Sequence, residues 1–215
     1  MQNRLQRILN SKELVTMEEE LLISEEEYQK SGVQIGTQLK TKDMLKYIFK
    51  IRNDGLYILD LKYTDKMIKV AGKMLSRINP GEILVVAQRQ YAFRPVTKFS
   101  EVTGARSIIG RFIPGTLTNP NLETYTEAKA IIVTDPLADT QVMKEARNVG
   151  SPVIAFCDAN NTTDFVDIVI PSNNKGRRSL ALVYWLLARE ILLKKGEIKD
   201  YSEYKFSVED FESQI

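Results

Sequence analysis

At 215 residues, 43% of them hydrophobic, the chain can bury one sizeable core, and no apolar run approaches the roughly 18 residues of a membrane span. It has no histidine and one cysteine, Cys157, which excludes Ser-His-Asp and Cys-His catalysis, His-containing metal sites, CxxC sites and an internal disulfide. The net charge of +2 hides a polarity: residues 31–115 carry 15 Lys/Arg against 6 Asp/Glu, while 1–30 carry 4 against 7 and 196–215 carry 2 against 6. A basic block between acidic ends points to a body that binds a polyanion and tails that serve another purpose.

Residues 1–30 form an acidic extension, expected to be partly helical, in which Glu18–Glu20 and Glu25–Glu27 flank Leu21-Leu22-Ile23. A helix there could dock on the body or on a neighbour. The seven acids and the lack of an apolar h-region argue against a secretory signal, so the expected location is cytoplasmic. Next come Lys40, Lys42, Lys46, Lys50 and Arg52, interleaved with Tyr47 and Phe49. Cations near rings suit an arm on RNA; the alternative buries both rings and leaves the lysines solvated.

From residue 56 onward β-rich runs alternate with helical patterns. The expected strands are Leu56–Leu61, Glu82–Ala87, Ser107–Ile109, Ala130–Thr134, Val153–Cys157 and Ile168–Ile170; the expected helices are Asp65–Ile78, Arg94–Thr103, Asp139–Val149 and Leu180–Lys195. Near-continuous apolar strands separated by helices predict an α/β fold, a flavodoxin-like open parallel sheet with helices on both faces. The domain is expected over 31–196, followed by an acidic tail at 197–215. In the first helix, Met67, Ile68, Ala71, Leu75 and Ile78 share the apolar side, with Lys66, Lys69, Lys73 and Arg77 opposite. Those cations are either a solvated face or a ridge toward phosphates.

The loops after the strands hold the chemistry. Gln88-Arg89-Gln90-Tyr91, followed by Arg94, falls at the carboxyl edge of the sheet, together with Asp135, Asp158 and Asn160. Gly110–Pro120 packs Arg111, Thr116, Thr118 and Asn119 into a stretch stiffened by Pro114 and Pro120, equipment for holding phosphate oxygens. Lys175, Arg177 and Arg178 stand just before the last helix, where cations oppose the macrodipole unless an anion binds. That helix is apolar nearly all round, so Trp185 reads as packing. In the tail, Tyr201, Tyr204, Val208 and Phe211 recur at three-four spacing, either a protein-docking stripe or a segment folded back on its own domain. Neither GxGxxG nor GxxxxGK[ST] occurs.

Arg111-Phe112-Ile113-Pro114-Gly115-Thr116-Leu117-Thr118-Asn119-Pro120 closely resembles the central loop of the second small-subunit ribosomal protein, a family that includes eukaryotic ribosomal protein SA, or laminin-receptor precursor. Gly32–Thr37, Asp54–Leu61, Arg89-Gln90-Tyr91, Thr103–Arg106, Val133–Pro136, Asp167–Pro171, Asn173–Gly176 and Leu182–Glu190 continue the resemblance across most of 32–196, in its archaeal–eukaryotic form. Gln34, Leu137 and Ala128 depart from the family, which usually has His, often Arg, and usually Pro there.

The resemblance implies a flavodoxin-like fold, no catalysis and no cofactor. It implies a ribosome-bound structural protein near the head–body junction of the small subunit, partnered by rRNA and neighbouring ribosomal proteins, with no membrane and no small-molecule substrate. Its implied rRNA contacts, with the cations flanking them, are Lys40, Lys42, Lys46, Arg89, Arg94, Arg106, Arg111, Thr116, Thr118, Asn119, Lys175, Arg177 and Arg178. The rival reading is a flavodoxin-like nucleotide- or small-molecule-binding enzyme using Asp135 and Asp158.

Overall fold

A computed structural model describes residues 21–214. Helix α1 (Glu25–Ser31) is followed by a hairpin, β1 (Ile48–Ile51) and β2 (Tyr57–Leu59). Strands and helices then alternate: α2 (Leu61–Leu75), β3 (Ile83–Ala87), α3 (Gln90–Thr103), β4 (Arg106–Ile109), β5 (Ala130–Val133), α4 (Thr140–Val149), β6 (Val153–Cys157), β7 (Ile168–Pro171) and α5 (Arg177–Lys195). A short α6 (Val208–Phe211) closes the tail.

Strands β3 to β7 form one parallel sheet in the order β4-β3-β5-β6-β7. Counted within the sheet this is 2-1-3-4-5, the flavodoxin-like order. Period-two alternation sends successive residues to opposite faces. Ile83, Val85 and Ala87 of β3 join Ile132, Phe156 and Ile170 in a core covered by α2, α3 and α5. Leu84 and Val86 join Ile131, Val133 and Cys157 on the other face, covered by α4 and by Leu59, Phe112 and Leu117. The loop at 110–120 and the base of the hairpin are therefore parts of the second core layer.

The run expected as the first parallel strand is instead the second strand of an antiparallel hairpin outside the main sheet. It ends early because Asp60 caps α2, its carboxylate accepting from Lys62 N–H at 2.9 Å. Helix α2 thus begins four residues before the expected Asp65, and Asp65 becomes a buried hub. Its Oδ1 accepts from Leu22 N–H at 2.7 Å and Tyr28 Oη at 2.9 Å, and its Oδ2 pairs with Lys69 at 2.9 Å. Through Asp65, Leu22 and Tyr28 are drawn into the core, so packing does not break at residue 30.

The tail also packs on the body. Phe211 is fully buried, Tyr204 is nearly so, and Trp185 Nε1 donates to Phe206 O at 2.7 Å. Tyr201 lies over the Arg189 guanidinium and donates to Glu190 at 2.8 Å. Of the stripe expected to dock a partner, Tyr204 and Phe211 are spent on the chain's own core, because α5 leaves an apolar face next to them. Trp185 packs, as its apolar helix predicts.

Candidate nucleic-acid interface

Strand order reverses between β3 and β5, and the crevice at their carboxyl ends is where such folds take ligands. Here side chains fill it. Arg89 Nε donates to Asp135 Oδ2 at 2.6 Å, and a second guanidinium nitrogen pairs with the same oxygen. Asn161 Nδ2 donates to Asp135 Oδ1 at 2.7 Å, and Asn174 Nδ2 donates to Asn161 Oδ1 at 3.0 Å. Lys175 Nζ donates to Asp158 Oδ2 at 2.6 Å and to Asn160 Oδ1 at 2.8 Å. Arg89 and Lys175, both expected to meet phosphate, here neutralise nearly inaccessible carboxylates. Beside them the Asp139 carboxyl is pushed up to about 7, chiefly by burial and further by the Asp135 charge. Burial likewise raises the Cys157 thiol, leaving it protonated.

The loop at 110–120 is held from inside. Phe112 and Leu117 plug into the core, and Gly115 takes φ +95°, a conformation that favours glycine. The Glu145 carboxylate of α4 accepts from Gly115 N–H at 2.7 Å and Leu117 N–H at 3.0 Å, and lies 3.5 Å from Thr118 Oγ1. Gln141 Nε2 donates to it at 2.7 Å. A protein carboxylate thus takes two backbone donors of the loop and lies within reach of one of the expected phosphate ligands, Thr118. Thr116, expected as a phosphate donor, is buried, and its hydroxyl donates to Ile113 O at 2.7 Å. What the loop presents outward is Arg111, Thr118 and Asn119. Glu145 was missed because nothing in the pattern of α4 separates it from a solvated acid.

The remaining cations divide by their partners. Arg177 and Arg178 flank one carboxylate, Glu212, at 2.9 and 3.3 Å, so the tail supplies the anion that the N-terminus of α5 calls for. Arg94 Nε donates to Asp210 O at 3.1 Å, and Arg106 donates to Thr126 Oγ1 and Glu127 O. Lys40, Lys42 and Lys46 are exposed; Lys40 lies over the Tyr57 ring and Lys46 over the Tyr47 ring, each at 4.9 Å. Their segment is tied down by Thr41, which donates to Asn161 O at 2.6 Å, and by Asp43, which accepts from Thr163 N–H at 3.1 Å. Tyr47 is buried and Phe49 exposed, so neither expected fate of the two rings holds for both. In the α2 stripe, Lys66, Lys73 and Arg77 are exposed and Lys69 is committed to Asp65.

The family model described as "Ribosomal protein S2" matches residues 29–128 and 121–193. The chain belongs to the ribosomal protein S2 family. It is 71% identical over 199 residues to a protein of Picrophilus torridus, 70% to one of Thermoplasma volcanium and 69% to one of Thermoplasma acidophilum, each named "Small ribosomal subunit protein uS2". Each match covers 93% of this chain and all of the relative. The ribosomal protein S2 family is one of structural proteins rather than enzymes, so the reading of Asp135 and Asp158 as catalytic carboxylates is set aside. Among the described residues no acidic cluster could hold a metal, and no helix is long and apolar enough to cross a membrane.

Proposed function

We propose that this chain is a structural constituent of the small ribosomal subunit, bound in the cytoplasm to rRNA and neighbouring ribosomal proteins near the head–body junction, where it supports translation. The observation that carries the reading is full-length similarity to proteins named for that subunit. The basic block at 31–115 supports it physically, since phosphate neutralisation supplies most of the affinity for RNA.

The contacts divide in two. Arg111, Lys40, Lys42 and Lys46 are exposed and engage no carboxylate among the described residues, so they meet phosphates directly, with Thr118 and Asn119 as neutral donors beside Arg111. Arg177, Arg178, Arg94 and Arg106 reach RNA by exchanging a weak surface partner for phosphate. Arg89 and Lys175 act from below, holding the switch-point loops in shape. The test is binding to small-subunit rRNA at graded salt. Arg111→Ala and Lys42→Ala are each expected to flatten the log–log salt slope by about 1, as one lost phosphate contact does. An unchanged slope in both variants would remove them from the interface.

A further inference from the structure

Among the described residues, the small sheet has one open edge. The outer side of β2 is occupied: Tyr57 N–H donates to Thr37 O at 3.1 Å, Leu59 N–H to Gln34 O at 2.8 Å, and Gly36 N–H to Tyr57 O at 2.8 Å. Ile58, between them, therefore faces β1, where Lys50 lies opposite it. Past a bulge between Ile48 and Lys50, the backbone of Lys50 in β1 and of Arg52 just beyond it turns inward, the latter donating to Leu56 O at 2.9 Å, which leaves the backbone of Ile51 facing out. No strand covers that side among the described residues. Phe49 and Ile51 remain 68% and 59% exposed there, an unusual state for two large apolar side chains in one four-residue strand.

Phe49, Lys50 and Arg52 also line a groove of about 430 Å³ that they share with Leu21, Glu25, Gln29 and Gln34. Its lining includes Ile35, Ile58 and Phe49, with Lys50 and Lys62 contributing charge and Arg52 paired at the rim with Asp54 at 3.2 Å. Two acids, Glu25 and Asp60, also line it; Glu25 accepts from Gln29, and Asp60 is turned to the Lys62 N–H of its own helix cap. Apolar walls, a cationic rim and an unpaired backbone edge are the features by which a sheet recruits an extended peptide. Main-chain bonds give the affinity, and pockets for alternate side chains give the choice of partner. A second copy of this chain would bring like charge against like charge, and an RNA strand has no peptide group to pair with the outward backbone of Ile51.

We propose that the outer edge of β1 is a strand-addition site for an extended, acidic segment of a neighbouring polypeptide in the assembled small subunit, an inference that rests on the ribosomal reading above. The test places p-benzoylphenylalanine at Phe49, assembles the chain into small subunits, irradiates them, and sequences what is linked. The expected product is another polypeptide, joined within a segment carrying more Asp/Glu than Lys/Arg.

Two variants carry the same photoprobe. Ile51→Pro removes the outward N–H at an edge position where proline is tolerated. The pair Lys50→Glu and Arg52→Glu reverses the rim while keeping every backbone donor. Each is expected to lower the cross-link yield several-fold while the chain still enters the subunit. Entry with linkage to rRNA, to residues 1–20 of the same chain, or to nothing overturns this inference alone. Failure of the unmodified chain to enter the subunit overturns the ribosomal reading and this inference with it.

Discussion

Arg89 and Asp135 close the crevice at the switch point of the sheet, the guanidinium Nε 2.6 Å from a carboxylate oxygen that solvent hardly reaches. A fold that elsewhere presents this crevice to a ligand has filled it with an ion pair and two asparagines. The second core layer and the loops that carry the outward cations are built around that plug.

Removing one partner leaves the other charge stranded, so Arg89→Met and Asp135→Asn should each destabilise the chain. The cost is about 3 kcal/mol, at the low end for a buried pair because Arg89 keeps some solvent contact. The double variant should lose clearly less than the sum of the two. Urea unfolding of all four proteins measures the coupling. Strict additivity would mean that the pair contributes nothing specific.

Glu145 holds the loop at 110–120 by accepting two of its backbone N–H groups. Glu145→Ala should cost about 2–3 kcal/mol and speed amide exchange at Gly115 and Leu117, because those buried donors lose their acceptor. Glu145→Gln, which keeps one carbonyl acceptor, should lose less. Exchange rates unchanged in Glu145→Ala would show that Phe112 and Leu117 fix the loop by packing alone.

Asp139 sets a pH dependence whose sign follows from its raised pKa of about 7. Unfolded, the carboxyl titrates near 3.9. Its contribution is thus fully present below about pH 4 and is lost as pH rises through about 7. Relative to the parent, Asp139→Asn should gain on the order of 2–3 kcal/mol between pH 5 and pH 8, read from urea midpoints. A constant difference between the two proteins across that range would contradict the shift.

Glu212 pairs with both Arg177 and Arg178, so in the proposed interface it competes with phosphate for them. Glu212→Gln should raise affinity for small-subunit rRNA by about two- to fivefold, since exposed pairs are worth 0.2–1 kcal/mol. Equal affinity in parent and variant would place the two arginines outside the interface.

Much of the fold was legible because it rests on composition along single strands. Runs such as Ile83–Ala87 and Val153–Cys157 are apolar on both faces, which only a doubly covered parallel sheet explains. Leu56–Leu61 was placed in that sheet because a short apolar run does not encode its pairing partner; pairing was decided by Ile48–Ile51, hidden among lysines. The candidate site was legible as residue types but not as roles. Arg89, Lys175 and Arg111 look alike in sequence. Only the buried carboxylates Asp135 and Asp158, far away in the chain, separate two internal counter-charges from an outward one.

The most direct test of the central claim is sedimentation of a gently lysed source on a sucrose gradient, with each fraction probed for this chain. The ribosomal reading predicts co-migration with the small subunit, released by RNase or high salt because phosphate contacts hold the chain. Migration only as a free protein of about 24.5 kDa, with no subunit-bound pool, would contradict it.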